Sequence, residues 1–257
     1  IEDGCRNITI ADNTIKDTGK GGTQSYICGV YVAAAVAANR AISNVTVSGN
    51  TIFGVSDMDY GIYAAGSYDL NGVTITNNVI QNSLLYGIWL GSVLEGFTVS
   101  GNSVYNSTGP GIRAAGDKGA ITNNVCTVIP TGAQTYGIEI NTGTDLIITD
   151  NVLTDNDTAA ILVASAPTTS IIRNNRGWIT EANGNPSITS GNTSVVVTHG
   201  LSVTPTAKDI MVMAYSNPDN NIGSLWVSTI TSTQFTINCE NNPGASGVSL
   251  VWNHRLT

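Results

Sequence analysis

Three groups of side chains in this sequence could do chemistry. The first is a set of carboxylates. Glu139 and Asp117 fall one repeat apart, and Asp57 and Asp59 form a local pair within Gly54-Val-Ser-Asp-Met-Asp-Tyr60. Paired carboxylates at the right separation hydrolyse glycosidic bonds, one as general acid and the other as base or nucleophile. The Asp-x-Asp stretch reads equally as a polar turn. The second group is cationic: Arg113 and Lys118 are the compact basic pair of the first 177 residues. A cation beside a carboxylate-bearing sugar, with a base of lowered pKa, is what β-elimination of a uronic acid requires. Glu139 could instead form an ion pair with Arg113.

The third group is nucleophilic. His199 and His254 are the two histidines, and Cys5, Cys28, Cys126 and Cys239 lie far apart with no C-x-x-C pair. No acidic partner sits near either histidine in sequence, so structural or interface use is expected of both. Buried free thiols are expected of the cysteines. No metal site and no cofactor is expected.

These residues need a frame, and a repeat supplies it. A first motif recurs as NITIADNTI (7–15), NVTVSGNTI (44–52), GVTITNNVI (72–80), GFTVSGNSV (96–104), GAITNNVCT (119–127), DLIITDNVL (145–153) and TSIIRNNRG (169–177). Its register asparagines are Asn13, Asn50, Asn78, Asn102, Asn124, Asn151 and Asn175, spaced 37, 28, 24, 22, 27 and 24 apart. The residue before each is Gly, Asp or Asn.

A second motif alternates with the first: CGVYV (28–32), YGIYA (60–64), YGIWL (86–90), PGIRA (110–114), YGIEI (136–140) and AAILV (159–163). Each repeat therefore holds at least two short strands with alternating apolar and polar residues. No helical period lies between them, which excludes the helical solenoids. A β-propeller would need longer, antiparallel blades. What remains is a right-handed parallel β-helix of about seven coils, stacked at about 4.8 Å per coil with right-handed crossovers. The register Asn is expected at a bend, tolerating left-handed geometry there. Stacked coil on coil, its amide can donate to the Asn of its neighbour, forming a ladder that satisfies buried polar groups.

Stacking also aligns the residue after Gly-Ile of the second motif. Tyr31, Tyr63, Trp89, Arg113, Glu139 and Leu162 should form one outward stripe. Aromatic rings above polar groups suit sugar rings, so Tyr31, Tyr63 and Trp89 are candidates for glycan binding and Glu139, Asp117 and Arg113 for catalysis. The alternative is that the stripe is covered at a subunit interface. The largest insertion, 16–43, sits beside the aromatic end of the stripe.

The periodic pattern over 1–177 resembles the pectate-lyase-like β-helix superfamily. That resemblance implies the fold; the same architecture serves lyases, hydrolases, epimerases, tailspikes and adhesins. Calcium-dependent lyases of the superfamily use clustered Asp and Glu, and no such stacked row occurs here.

The repeat stops at Gly177. Residues 178–192, with Gly184, Asn185 and Pro186, read as a linker or cap. Beyond lie SVVVTHG (194–200), DIMVMAY (209–215), SLWVSTI (224–230), QFTINCE (234–240) and GVSLVWNHR (247–255), with a hairpin at Thr231-Ser232-Thr233. They predict a small antiparallel β-sandwich over 193–257, serving trimerisation or receptor binding. Val197-Thr-His-Gly-Leu201, Thr204-Pro-Thr206 and the run Trp226 to Asn238 resemble a small β domain at the C-termini of phage tail-fibre and tailspike proteins. The resemblance implies a virion appendage, a homotrimer and a bacterial surface polysaccharide as partner. It also implies an N-terminal particle-binding region beyond Ile1. A secreted polysaccharide lyase or glycoside hydrolase, and a structural shaft without ligand, are the other readings.

Net charge is −8 across 257 residues, and only 11% of residues are charged. A basic footprint for nucleic acid is absent. No apolar run reaches the roughly 18 residues of a membrane-spanning helix.

Overall fold

The computed structural model describes residues 4–16, 27–33, 41–54, 57–130, 132–165 and 169–254. The chain forms two compact units, Ile1–Gly177 and Trp178–Thr257. No helix among the described residues is long and apolar enough to cross a membrane. Most of the 16–43 insertion lies outside the described residues.

The first unit is a parallel β-helix with three strands per full coil. Sheet 1 stacks Arg6–Ala11, Ile42–Ser48, Leu70–Thr76, Thr98–Ser100, Ala120–Thr122, Ile147–Thr149 and Ile171–Arg173. Sheet 2 stacks the three-residue strands Thr14–Lys16, Thr51–Phe53, Val79–Gln81, Ser103–Tyr105 and Val125–Thr127. Sheet 3 stacks Cys28–Val32, Tyr60–Ala64, Tyr86–Leu90, Ile112–Ala114, Tyr136–Ile140 and Ala159–Val163. Every pairing in these sheets is parallel. The first sequence motif thus spans two sheets, because it contains the bend between them.

The interior is built from stacked identical positions. Val47, Ile75, Val99, Ile121 and Ile148 form one row of sheet 1, and all are fully buried. Ile52, Ile80, Val104 and Cys126 form the corresponding row of sheet 2. Cys126 stands where the other coils carry Ile or Val, so it serves as a small hydrophobe. Burial raises its thiol pKa further above the ordinary range. Of the other cysteines Cys239 is buried, while Cys5 and Cys28 are half-buried.

The asparagine ladder runs the length of the unit. Each amide nitrogen donates to the Oδ1 of the next register Asn, from Asn13→Asn50 at 2.9 Å through Asn78→Asn102 at 2.9 Å to Asn151→Asn175 at 2.8 Å. Each backbone N–H from Asn13 to Asn151 donates to the same oxygen. The left-handed conformation falls on the preceding residue, not on the ladder Asn. Asp12, Gly49, Asn77, Gly101, Asn123, Asp150 and Asn174 have φ between 56° and 69°. This corrects the expectation that the register Asn itself takes the left-handed turn. The preceding residue makes the bend, which explains its restriction to Gly, Asp and Asn. The ladder Asn is then free to turn its amide inward.

Among its described residues the second unit is an antiparallel sandwich of seven strands. One sheet packs Ala182–Gly184 and Ser187–Ile188 along one edge of Val248–His254, with Ile210–Ala214 along the other. The other sheet orders Ser194–Thr198, Gln234–Cys239 and Leu225–Ser228. Ile188, Phe235, Ile237, Leu250 and Trp252 lie in the core between them. The segment 178–192, read from the sequence as a linker or cap, forms part of this sheet. It supplies two strands and the fully buried Ile188. Pro186 separates the two strands and still contributes, its carbonyl accepting from the Leu250 amide at 2.9 Å. The hairpin at 231–233 forms, closed by the Thr231 amide donating to the Gln234 carbonyl at 2.8 Å.

Candidate functional site

The outward face of sheet 3 carries the aligned stripe of candidate residues. Its pairing register aligns Tyr31 with Tyr63, Tyr63 with Trp89, Trp89 with Arg113, Arg113 with Glu139 and Glu139 with Leu162. All six are half-buried. A companion column stands beside them, three residues earlier in each strand: Cys28, Tyr60 and Tyr86 are in mutual register.

Both columns stand on the outer side of the sheet because of the glycine between them, Tyr60 buried among its ring neighbours and Tyr86 half-buried. In an alternating strand, residues three apart face opposite sides. Here a Cβ on Gly87 would lie 2.2 Å from Val104 Cγ1 in the core and 2.6 Å from the Gly111 carbonyl oxygen. A Cβ on Gly61 would meet Ile80 Cγ2 at 2.3 Å and the Gly87 oxygen at 2.6 Å. The glycine and the isoleucine after it both face inward, and the flanking residues both face out. Glycine is required by the close approach, not by its φ.

The two columns interlock. Tyr31 stacks on Tyr63 with centroids 5.2 Å apart, and Tyr86 stacks on Trp89 at 5.4 Å. Tyr60 meets Tyr63 edge-on at 5.1 Å and Tyr86 at a tilt at 5.7 Å. The Arg113 guanidinium lies over Trp89 at 4.4 Å and over Tyr86 at 5.1 Å, both within cation–π range. Its Nε donates to Glu139 Oε1 at 3.0 Å and its Nη1 to the Tyr86 hydroxyl at 3.1 Å. The side chains of Arg113 and Glu139 are 22% and 13% exposed. The result is a ridge of interlocked rings continued by the Arg113–Glu139 pair.

Asp117 and Lys118 lie elsewhere. Ala115 and Gly116 carry the chain round a corner, so Asp117 is in register with Glu95 beside sheet 1. Its Oδ1 accepts from the Thr144 amide at 2.6 Å and the Thr144 hydroxyl at 3.1 Å. Lys118 is bound to Glu95, and both are largely exposed. Neither the Glu139–Asp117 pair nor the Arg113–Lys118 pair forms. Asp59 is also engaged, accepting from the Ile27 amide at 3.2 Å.

Cys28, in the companion column, has its thiol pushed up to about 12 by burial and by the charge of Asp59. Both effects disfavour the thiolate, the form that acts as nucleophile. His199 is buried in the second unit with both ring nitrogens used, Nε2 with the Thr231 carbonyl at 3.2 Å and Nδ1 accepting from the Leu201 amide at 3.0 Å. Among the described residues no group of three or more His, Cys, Asp or Glu is arranged to hold a metal ion.

The Tyr60–Tyr86 column escaped sequence reasoning. Its signal was present in aromatic-Gly-Ile-aromatic, where a glycine that cannot carry a Cβ turns residues three apart to one face.

Among curated proteins no relative matches this chain. Solved structures similar to it include the Dettilon tailspike protein, at 15% identity and TM-score 0.47, covering 97% of this chain and 63% of that one. A mutant tailspike protein of E. coli bacteriophage HK620 in complex with a hexasaccharide matches at 13% identity and TM-score 0.48, covering 99% of this chain and 56% of that one. Another mutant of the same tailspike, in complex with a pentasaccharide, matches at 13% identity and TM-score 0.46, covering 99% and 57%. The chain thus spans about three fifths of the length of these structures. The family model described as right handed beta helix region matches residues 36–200, well over half of the chain, and with the stacked parallel sheets and the asparagine ladder it shows that the chain belongs to the right-handed β-helix family.

Proposed function

We propose that the chain is a segment of an extracellular, tailspike-type virion appendage that binds a bacterial surface polysaccharide along the outer face of sheet 3. The observation that carries this reading is the ridge itself. Six half-buried positions follow one another along the solenoid axis, four of them aromatic or cationic and linked through the rings of Tyr60 and Tyr86 and the Arg113–Trp89 contact. A linear glycan has the matching shape: apolar C–H edges for the rings, and hydroxyls for Arg113, Glu139 and the tyrosine hydroxyls. The roughly 4.8 Å step between coils repeats these contacts along the polymer. Support for the appendage comes from the C-terminal segments that resemble tail-fibre and tailspike domains.

Binding has more support than cleavage. Hydrolysis by two carboxylates needs the pair about 5–10 Å apart across the bond. Glu139 sits on the ridge, whereas Asp117 is round the corner and held by Thr144. Glu139 is therefore assigned as the positioning partner of Arg113.

Titration calorimetry with purified capsule or O-antigen polysaccharide of the host tests the reading. Trp89→Ala should weaken binding about tenfold or more, because it removes a large contact and the platform under Arg113. Unchanged affinity would remove the ridge as the site.

We also propose that copies associate as a homotrimer through the outer face of the three-stranded sheet of the second unit. Val196 and Trp226 stand exposed on that face, and single large apolar residues at such positions anchor interfaces. Light scattering should give three copies for the wild type and a lower mass for Trp226→Glu. A monomeric wild type would refute the assembly.

A further inference from the structure

Arg113 is the one cation in the sheet 3 stripe, and Glu139 is its partner in register on the next coil. Its Nε donates to Glu139 Oε1 at 3.0 Å and its Nη1 to the Tyr86 hydroxyl at 3.1 Å. The guanidinium is also held over Trp89, 4.4 Å from the ring centroid. A carboxylate, a hydroxyl and an indole therefore fix it together. Both partners are largely withdrawn from water, at 22% and 13% exposure, so salt screens the pair little. Among the described residues the strands of sheet 3 carry no other charge. Asp59, next to Tyr60 in the chain, adds a negative one at its margin.

We infer that Glu139 sets the charge selectivity of the ridge: by neutralising Arg113 it makes the ridge take uncharged sugar units and refuse uronic and sialic acids. The inference rests on the ridge being the glycan site and adds the class of glycan. What the pair offers a ligand is a donor beside an acceptor. Two of the guanidinium N–H groups are used, which leaves the others as donors and the second Glu139 oxygen as acceptor. Sugar hydroxyls both donate and accept, so neighbouring hydroxyls satisfy both sides. A sugar carboxylate only accepts, and it would meet Glu139 as a like charge. The net charge of −8 on the chain repels an acidic polymer at longer range as well. Glu139 acts through Arg113, so its role is positional.

The test is a gain of binding. Glu139→Gln keeps an oxygen for Arg113 Nε and removes the charge. The full chain and this variant are titrated with polygalacturonate, alginate, hyaluronan and polysialic acid. Salt is held at about 0.01 M, where the Debye length is about 30 Å. At least one acidic polymer should bind the variant about tenfold more tightly than the wild type, the step for one charge-assisted contact. The gain should fade at about 1 M salt, where the Debye length is about 3 Å. Glu95→Gln is the control. It strips the carboxylate from the Lys118 pair beside sheet 1 and changes the net charge equally, yet should bring no gain. Adding Arg113→Gln to Glu139→Gln should abolish the gain. A Glu139→Gln variant no better than the wild type on all four polymers would overturn the inference. So would an equal gain in Glu95→Gln, or a gain that survives the loss of Arg113. The Trp89→Ala titration with host polysaccharide judges the ridge separately, so a failed selectivity and a failed site are told apart.

Discussion

Replacing Asn102 by Ala should destabilise the solenoid by about 3 kcal/mol, among the largest effects of any single substitution in it. Asn102 is fully buried. Its Oδ1 accepts from the Asn78 amide nitrogen at 2.9 Å and from the Asn78 backbone N–H at 3.0 Å. Its own Nδ2 donates to the Ile75 carbonyl at 2.9 Å and to Asn124 Oδ1 at 3.0 Å. Alanine would strand the backbone N–H of Asn78 inside the protein and open a void beside it. The first rung is the internal comparison. Asn13 is exposed, so Asn13→Ala should cost less than about 1 kcal/mol, since water replaces what is lost. Equilibrium urea unfolding read by far-ultraviolet circular dichroism measures both. Equal costs for the two would mean that the ladder is a mark of the bend and not a source of stability.

The second large effect is expected at Gly87. A methyl group there must occupy space 2.6 Å from the Gly111 oxygen. That oxygen accepts the Ile88 amide at 2.9 Å, one of the bonds holding the two coils together. It must also displace Val104, which is fully buried in sheet 2. Neither neighbour is the free end of a flexible chain. Gly87→Ala should therefore cost about 3 kcal/mol, the upper range for overpacking. It should also disturb Tyr86 and Trp89 on either side. Gly96→Ala provides the contrast. Its φ of 68° is left-handed, yet nothing lies within 4 Å of the added carbon, so the cost should be about 1–2 kcal/mol of backbone strain alone. Thermal unfolding of the pair distinguishes steric collision from backbone conformation. If Gly87→Ala were the milder of the two, the close-approach account of the glycine column would fail.

The β-helix was legible in the sequence because every coil repeats the same position for the same reason. Asn50, Asn78, Asn102, Asn124 and Asn151 each answer to a ladder bond, and the stripe from Tyr31 to Leu162 follows from a fixed offset within the second motif. What was not legible depends on where the chain turns between sheets. Glu139 and Asp117 are one repeat apart, but two residues, Ala115 and Gly116, suffice to put Asp117 on another face. The Tyr60–Tyr86 column was hidden because a glycine facing inward looks, in sequence, like a glycine in a turn. The strands Ala182–Gly184 and Ser187–Ile188 were hidden for a different reason. They are short, interrupted by Pro186, and form only by pairing with Val248–His254, 60 to 72 residues later.

The ridge on sheet 3 is the centre of the functional reading, and hydroxyl-radical footprinting with the host polysaccharide tests it most directly. The predicted result is that Tyr63, Tyr86 and Trp89 are oxidised in the free protein and protected when the polysaccharide is added, while Tyr105 on sheet 2 is unchanged. Rings already protected in the free protein, with no further change on adding polysaccharide, would show that the ridge is covered by another copy of the chain and would contradict the account.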